Sequence, residues 1–298
     1  VATKTRKTYS PADREAARKT RAEKVEQMHA TLTDAVAALA ESGEWQRWLD
    51  FLGSFHAYSF KNTILILSQC PHATQVAGFK AWQSKGRQVR KGEKGIRIFG
   101  KPFRTVTETD EKTGEETRST VSCPPPVVTV FDHSQTDPID GVEQHECPAR
   151  PLEGDDPASL YTRVADYMTE KGWTVTREAI PGETNGYCVV DGSRRIVLDD
   201  ALSAAHTAKT MIHEAAHALM HTDDDGKALA DIPGPIREVE AESVAYVLAG
   251  LAGLDTSGYS VGYLTGWSKG DTDALTTTAV RVQATVHQLA EAITLDEQ

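Results

Sequence analysis

The chain has 298 residues, 39% hydrophobic and 25% charged, enough for one large folded domain or two of ordinary size. It has no apolar run near the roughly 18 residues of a membrane span and no apolar signal core at its charged start, so a cytoplasmic protein with no membrane partner is expected. The net charge of −11 hides a split: residues 1–104 hold nineteen Lys/Arg against nine Asp/Glu, and residues 105–298 hold thirteen against thirty-four.

A basic half joined to an acidic half suggests separate tasks, with any polyanion going to the first. The four cysteines (Cys70, Cys123, Cys147 and Cys188) form no CxxC pair. They read as reduced thiols, which excludes a disulfide scaffold and a cysteine zinc knuckle.

In chain order, residues 10–52 read as helical. Val25, Met28, Leu32, Val36 and Leu39 recur at helical spacing until Ser42-Gly43 stops the run. Residues 1–24 carry a basic start that reads as a flexible helix. A further apolar helix around Asn62–Leu67 ends at Pro71. From residue 88, QVRKGEKGIRIFGKPFRTVTET alternates and carries turn glycines, which predicts a short sheet. Thr113-Gly114 marks a hairpin tip, and VVTVFD (127–132) reads as a buried strand.

Residues 136–157, rich in Pro, Gly and acid, read as a linker. Beyond it come a helix over 157–171, the strand WTVTRE, and a hairpin from GYCVVD to RRIVLD. Two helices follow, one carrying His213 and one from about Pro235 to Gly250, and then C-terminal helical segments. The expected fold is therefore α+β in two domains, a basic one over 1–135 and an acidic one over 158–298.

MIHEAAHALMH (211–221) contains His213-Glu214-x-x-His217. Histidines at i and i+4 project from one helical face and can share an ion. Ala204, Ala208, Met211, Ile212, Ala215 and Leu219 form the apolar stripe that supports the helix. Glu214 sits one residue off the ligand pair, placed as general base rather than ligand. REVEAESVAYVLAG offers a third ligand on a second helix. Glu238 followed by Glu242 resembles the gluzincin arrangement, which implies Glu238 on the metal and Glu242 accepting a hydrogen bond from His213. Glu242 as the direct ligand is the alternative, and Glu240 is turned away from that face. His221 is assigned a capping role rather than a place in the ligand set. Two histidines, one glutamate and an open fourth position point to Zn2+ and to peptide hydrolysis. GYCVV or RRIVL is the candidate edge strand for an extended substrate. Tyr259, Tyr263 and His287 are the candidate oxyanion donors.

In the basic half, Lys80, Lys85, Arg87, Arg90, Lys91, Lys94 and Arg97 are interleaved with Phe79, Trp82 and Phe99. Cations that track phosphates beside aromatics that stack on bases suit single-stranded nucleic acid. No P-loop is present.

YSFKNTILILSQ, VAGFKAWQSKGRQVRKGEKGIRI, VFDHSQT, MIHEAAHALMH and REVEAESVAYVLAG, in this order, resemble the ArdC-type antirestriction proteins of mobile elements. The resemblance runs from about Trp45 to Trp267. It implies an N-terminal domain that binds single-stranded DNA and a C-terminal zincin domain similar to SprT and ImmA/IrrE metallopeptidases, acting on an unknown protein substrate. His213, His217 and Glu238 match its metal positions, and Glu214 matches its general base. Tyr58 and Asn62, in the first of these motifs, join Trp82 and the seven cations as expected DNA contacts. Residues 11–24 and 108–116 fall outside the resemblance. The competing expectations are a DNA-coating protein with a structural zinc, and an ImmA-like peptidase that cleaves a repressor.

Overall fold

The computed structural model describes residues 11–41, 43–109, 116–142, 157–254, 256 and 271–294. Helix α1 (Pro11–Ala38) buries Met28, Leu32 and Val36, and Leu39 just beyond its end is buried too. One apolar stripe at helical spacing thus docks the helix, with Val25 and Ala35 half-buried beside it. The helical run expected over residues 10–52, with its stop at Ser42-Gly43, is two helices. Gly43 breaks them with a left-handed φ of 85°, a conformation glycine adopts without Cβ strain. Helix α2 (Glu44–Phe55) follows, burying Trp45, Trp48, Leu49, Phe51, Leu52 and Phe55. Helix α3 (Phe60–Gln69) comes next, ahead of strand β1 (Val76–Ala77) and the short helix α4 (Phe79–Ser84).

Strands β2 (Arg87–Val89), β3 (Ile96–Phe99), β4 (Phe103–Thr109), β5 (Glu116–Ser122), β6 (Val127–Asp132) and β7 (Thr136–Pro138) complete the first part. They form a β1-β6-β3 sheet and the pairs β2-β7 and β4-β5, all antiparallel. The β4-β5 hairpin is in register from Phe103↔Ser122 to Thr109↔Glu116, and its expected tip lies outside the described residues. VVTVFD is half-buried rather than enclosed: Val130 and Asp132 are buried while Thr129 is exposed. Asp132 accepts the backbone N–H groups of Thr74, Gln75 and Ser134, which makes VFDHSQT a capped corner. The pairing of β7 with β2 also corrects the expected linker, because Thr136–Pro138 belongs to this part.

The second part opens with helix α5 (Pro157–Glu170), then strands β8 (Thr174–Glu178), β9 (Gly186–Val189) and β10 (Arg195–Asp199). Strand β10 is central, parallel to β8 and antiparallel to β9. Helices α6 (Ala204–His221), α7 (Gly234–Leu251) and α8 (Thr272–Thr294) complete it. The fold is α+β. No described helix is long and apolar enough to cross a membrane.

The two parts share one core. Buried residues from Met28 on α1 to Ile293 on α8 form a single contiguous cluster. Gln283 on α8 donates to Thr63 Oγ1 at 3.0 Å and also to the Tyr58 carbonyl. Helix α2 lies against α7, with Trp45 Nε1 on Ser243 Oγ and the Tyr246 hydroxyl on Asp50.

Candidate metal centre

Helix α6 starts at Ser203, whose hydroxyl accepts the His206 N–H in the usual N-cap manner. Ala208, Met211, Ile212 and Ala215 are fully buried, which fixes the rotation of the helix and sets His213 on the cleft wall with His217 one turn along the helix. Ala204, expected in the same stripe, is exposed at the first turn. Helix α7 begins with Pro235 in its first turn, where a missing N–H costs nothing. Its small residues Ala241 and Ala245 are fully buried, so α7 approaches closely.

That approach brings three side chains together. The Nε2 atoms of His213 and His217 lie 3.0 Å apart, and the Glu238 carboxylate lies 3.7 Å from the first and 3.5 Å from the second. Zinc bonds of about 2.0–2.2 Å place ligands roughly 3.3–3.6 Å apart around a tetrahedron. The separations here straddle that spacing, so this donor set fits one small divalent ion. Glu242 lies 3.3 Å from Nδ1 of His213, on the ring atom facing away from the cluster. The Glu238 side chain is 67% exposed, so the cluster opens on one side.

The opening is a cleft of about 630 Å3 lined by Gly186, Thr210, His213, Glu214 and Glu242, among others. Glu214 is buried and outside the three-residue cluster. Burial raises its pKa, while His213 and His217 pull the other way and the Cys188 backbone N–H donates to it. Burial also works against a charged His213, yet its hydrogen bonds to Glu238 and Glu242 prevail and push it up to about 9. Hydrogen bonds from the two histidines hold Glu238 below the usual carboxylate range. The Cys188 thiol, buried and beside Glu214, is pushed up to about 12.

Topology separates the two candidate edge strands. RRIVL is the central strand β10, so only GYCVV, on β9, borders the cleft. The Asp199 N–H donates to the Asn185 carbonyl. Antiparallel alternation therefore points Tyr187 and Val189 backbone groups at β10 and those of Gly186 and Cys188 outward. Gly186 has no room for a side chain: a Cβ would stand 2.7 Å from Thr210 Cγ2 and 3.0 Å from the Val197 carbonyl.

Two expectations near the cluster are corrected. His221 does not cap α6 through its side chain. Its ring is buried, with Nδ1 3.0 Å from Nδ1 of His217 and Nε2 2.9 Å from Glu240. Glu240 is fully buried and lies 3.3 Å from Arg281 on α8. The i+4 spacing of His221 from His217 was the available signal for this contact, whereas nothing local pointed to Arg281. His287 pairs with His56 and Glu291, away from the cluster and the cleft lining, and Tyr259 and Tyr263 lie outside the described residues.

The basic face is altered more. Trp82 is 1% exposed and donates its indole N–H to the Phe131 carbonyl, so it belongs to the core and not to a stacking surface. Tyr58 donates to the Val76 carbonyl, and Asn62 exchanges hydrogen bonds with the Phe99 backbone, so both brace the fold. Arg87 binds Thr136, and Arg90 is tied to Glu93, Asp137 and the Ser134 carbonyl. Lys85 is half-buried, its ammonium 5.9 Å over the Trp82 ring. Lys80, Lys91, Lys94 and Arg97 are exposed. Among the described residues of this basic part, Phe79 and Phe103 are exposed, with Lys101 over the latter.

Residues 23–131 match the N-terminal domain of the anti-restriction factor ArdC. Residues 168–253 match the IrrE N-terminal-like domain of peptidase family M78. An uncharacterized Bacillus anthracis protein, pXO2-81, is 27% identical over 91% of this chain, and the chain spans about half of that relative's length. Two crystal structures of the antirestriction protein ArdC from plasmid R388 are similar. The metal-free one has a TM-score of 0.46 and 20% identity, covering 84% of this chain and 97% of its own. The Mn(II)-bound one has a TM-score of 0.49 and 19% identity, covering 89% and 97%.

Proposed function

We propose that this ArdC-type chain, with an ArdC N-terminal domain followed by an IrrE N-terminal-like peptidase domain, is a cytoplasmic antirestriction protein of a mobile element that binds single-stranded DNA and hydrolyses a peptide bond at a zinc centre. The observation that carries the catalytic part is the convergence of His213, His217 and Glu238 with Glu214 buried beside them on the cleft wall. The first three would hold the ion, and Glu242 would orient His213 from behind. When bound there, zinc supplies a Lewis acid that polarises the scissile carbonyl and acidifies water. Glu214 accepts the proton lost from the attacking water and delivers it to the leaving amine. Its raised pKa matches that two-way traffic better than an ordinary carboxylate would. The outward backbone groups of Gly186 and the outward carbonyl of Cys188 pair with an extended substrate, while the Cys188 N–H stays on Glu214.

The exposed cations Lys80, Lys91, Lys94 and Arg97 hold phosphates, and Phe79 and Phe103 take the stacking role first assigned to Trp82. Lys85, Arg87 and Arg90 add positive potential, the two arginines while bound to their own chain. A structural zinc in a DNA-coating protein is disfavoured by the exposed Glu238 and the open cleft, because structural sites are closed.

The deciding experiment compares protection of incoming DNA by Glu214→Gln and by a Lys91→Gln/Lys94→Gln variant. The first should keep its metal and its DNA binding while peptide hydrolysis falls by roughly 10²–10⁴. Undiminished protection by Glu214→Gln, with loss in the lysine variant, would assign the function to DNA coating alone.

A further inference from the structure

Behind His217, on the side away from the cluster, stands a chain of polar side chains that the proposed chemistry does not use. His217 Nδ1 is 3.0 Å from His221 Nδ1, and His221 Nε2 is 2.9 Å from Glu240 Oε2. That same oxygen lies 3.3 Å from Arg281 Nη2, which also donates to the Met220 carbonyl at the end of α6. His221 and Glu240 are almost completely buried. The other Glu240 oxygen has no hydrogen-bond partner among the described residues. A carboxylate enclosed this way, with one histidine and one arginine against it, is an unusual expense unless the direction of its hydrogen bonds matters.

We propose that His221 and Glu240 are positioning residues that lock His217 into the tautomer and ring orientation in which its Nε2 binds the ion. This rests on the zinc-centre reading. A neutral imidazole that gives Nε2 to a metal carries its proton on Nδ1. That N–H can only donate, so His221 Nδ1 must accept, which puts the His221 proton on Nε2, facing Glu240. Glu240 Oε2, 2.9 Å away, accepts it. Each link thus has one permitted direction, and the fixed end is the ion pair with Arg281. His213 is held in the same way by Glu242, but in a single step. The two ligand histidines therefore present the same ring atom to the cluster, one braced from α7 directly and the other through a second imidazole.

The test uses the full chain, prepared metal-free, as the parent and the variants His221→Leu, His221→Asn and Glu240→Gln. Co2+ affinity is measured by competition with a chelator, the visible Co2+ spectrum reports coordination, and thermal unfolding of the metal-free proteins reports stability. His221→Leu should weaken Co2+ binding by roughly 10–100-fold and change the spectrum. His221→Asn places a carbonyl oxygen where Nδ1 stood and should recover most of that loss and the parent spectrum. Glu240→Gln should weaken binding as well. Parent affinity and spectrum in His221→Leu, or no recovery in His221→Asn, would overturn the relay. Should His221→Leu fail to fold, parent affinity in Glu240→Gln overturns it instead. A parent chain that takes up no Co2+ removes the zinc-centre reading itself, and the relay with it, before any variant is compared.

Discussion

Trp45 on α2 donates its indole N–H to Ser243 on α7 across 3.0 Å, and both side chains are buried. Helix α7 also carries Glu238 and Glu242, so the N-terminal part grips the helix that supplies the acids of the candidate metal centre. With one continuous core, the two parts should unfold together. Removing the indole N–H donor in Trp45→Phe leaves a buried hydroxyl short of a partner and should cost about 1–3 kcal/mol. Chemical denaturation followed separately by tryptophan fluorescence and by loss of metal should give coincident transitions. Two resolved transitions would show that the parts are stable independently.

Metal binding should depend on pH through His213. Its pKa of about 9 in the metal-free protein means that below that pH the ion must displace a proton. Affinity should therefore rise about tenfold per pH unit toward pH 9 and then flatten. The linkage to folding has the opposite sense. With its folded pKa above the unfolded value, His213 stabilises the metal-free chain fully below about pH 6.5, and that contribution is lost as pH rises through about 9. Chelator competition and thermal melts over that range measure both, and a pH-independent affinity would contradict the assignment of His213 as ligand.

Trp82 and Phe79 should separate cleanly. Trp82→Ala removes a fully enclosed ring and its hydrogen bond to Phe131, and should cost about 3–5 kcal/mol of stability. Phe79 is 44% exposed, so Phe79→Ala should leave the melting temperature nearly unchanged. Its cost should appear in single-stranded DNA affinity, at about 1–3 kcal/mol. Fluorescence anisotropy with a short oligonucleotide checks this, and unchanged affinity would remove Phe79 from the interface.

Gly186→Ala should be damaging although the backbone there is ordinary for a strand. The added methyl meets Thr210 on α6 and the Val197 carbonyl on β10, and only the first can move. We expect a loss of about 1–3 kcal/mol and a displaced edge beside Glu214. Thr210→Ser/Gly186→Ala should recover part of it, because the clashing methyl is gone. A single variant as stable as the parent would mean that β9 is not held against α6.

Much of the local organisation was legible in the sequence, because it depends on periodicity. His213, Glu214 and His217 lie on one helix, and 3.6 residues per turn determines which of them share a face. The apolar residues of α1, α6 and α7 mark their buried sides in the same way, and the breaks at Gly43 and Pro235 follow from backbone chemistry. Whether Trp82 faced a base or the core was not legible, since alternating cations and rings look alike in either case. The Phe131 carbonyl, 49 residues away, decided it. GYCVV and RRIVL were equivalent as candidate edges until the parallel pairing of β8 with β10 enclosed one of them. Helical spacing turns Glu240 away from the metal face, but its partner Arg281 comes from α8, which carries no local mark of that contact. Local spacing determines which side chains a single element presents together. Which element stands opposite is decided by burial of the whole core, and that is set by contacts far apart in the chain.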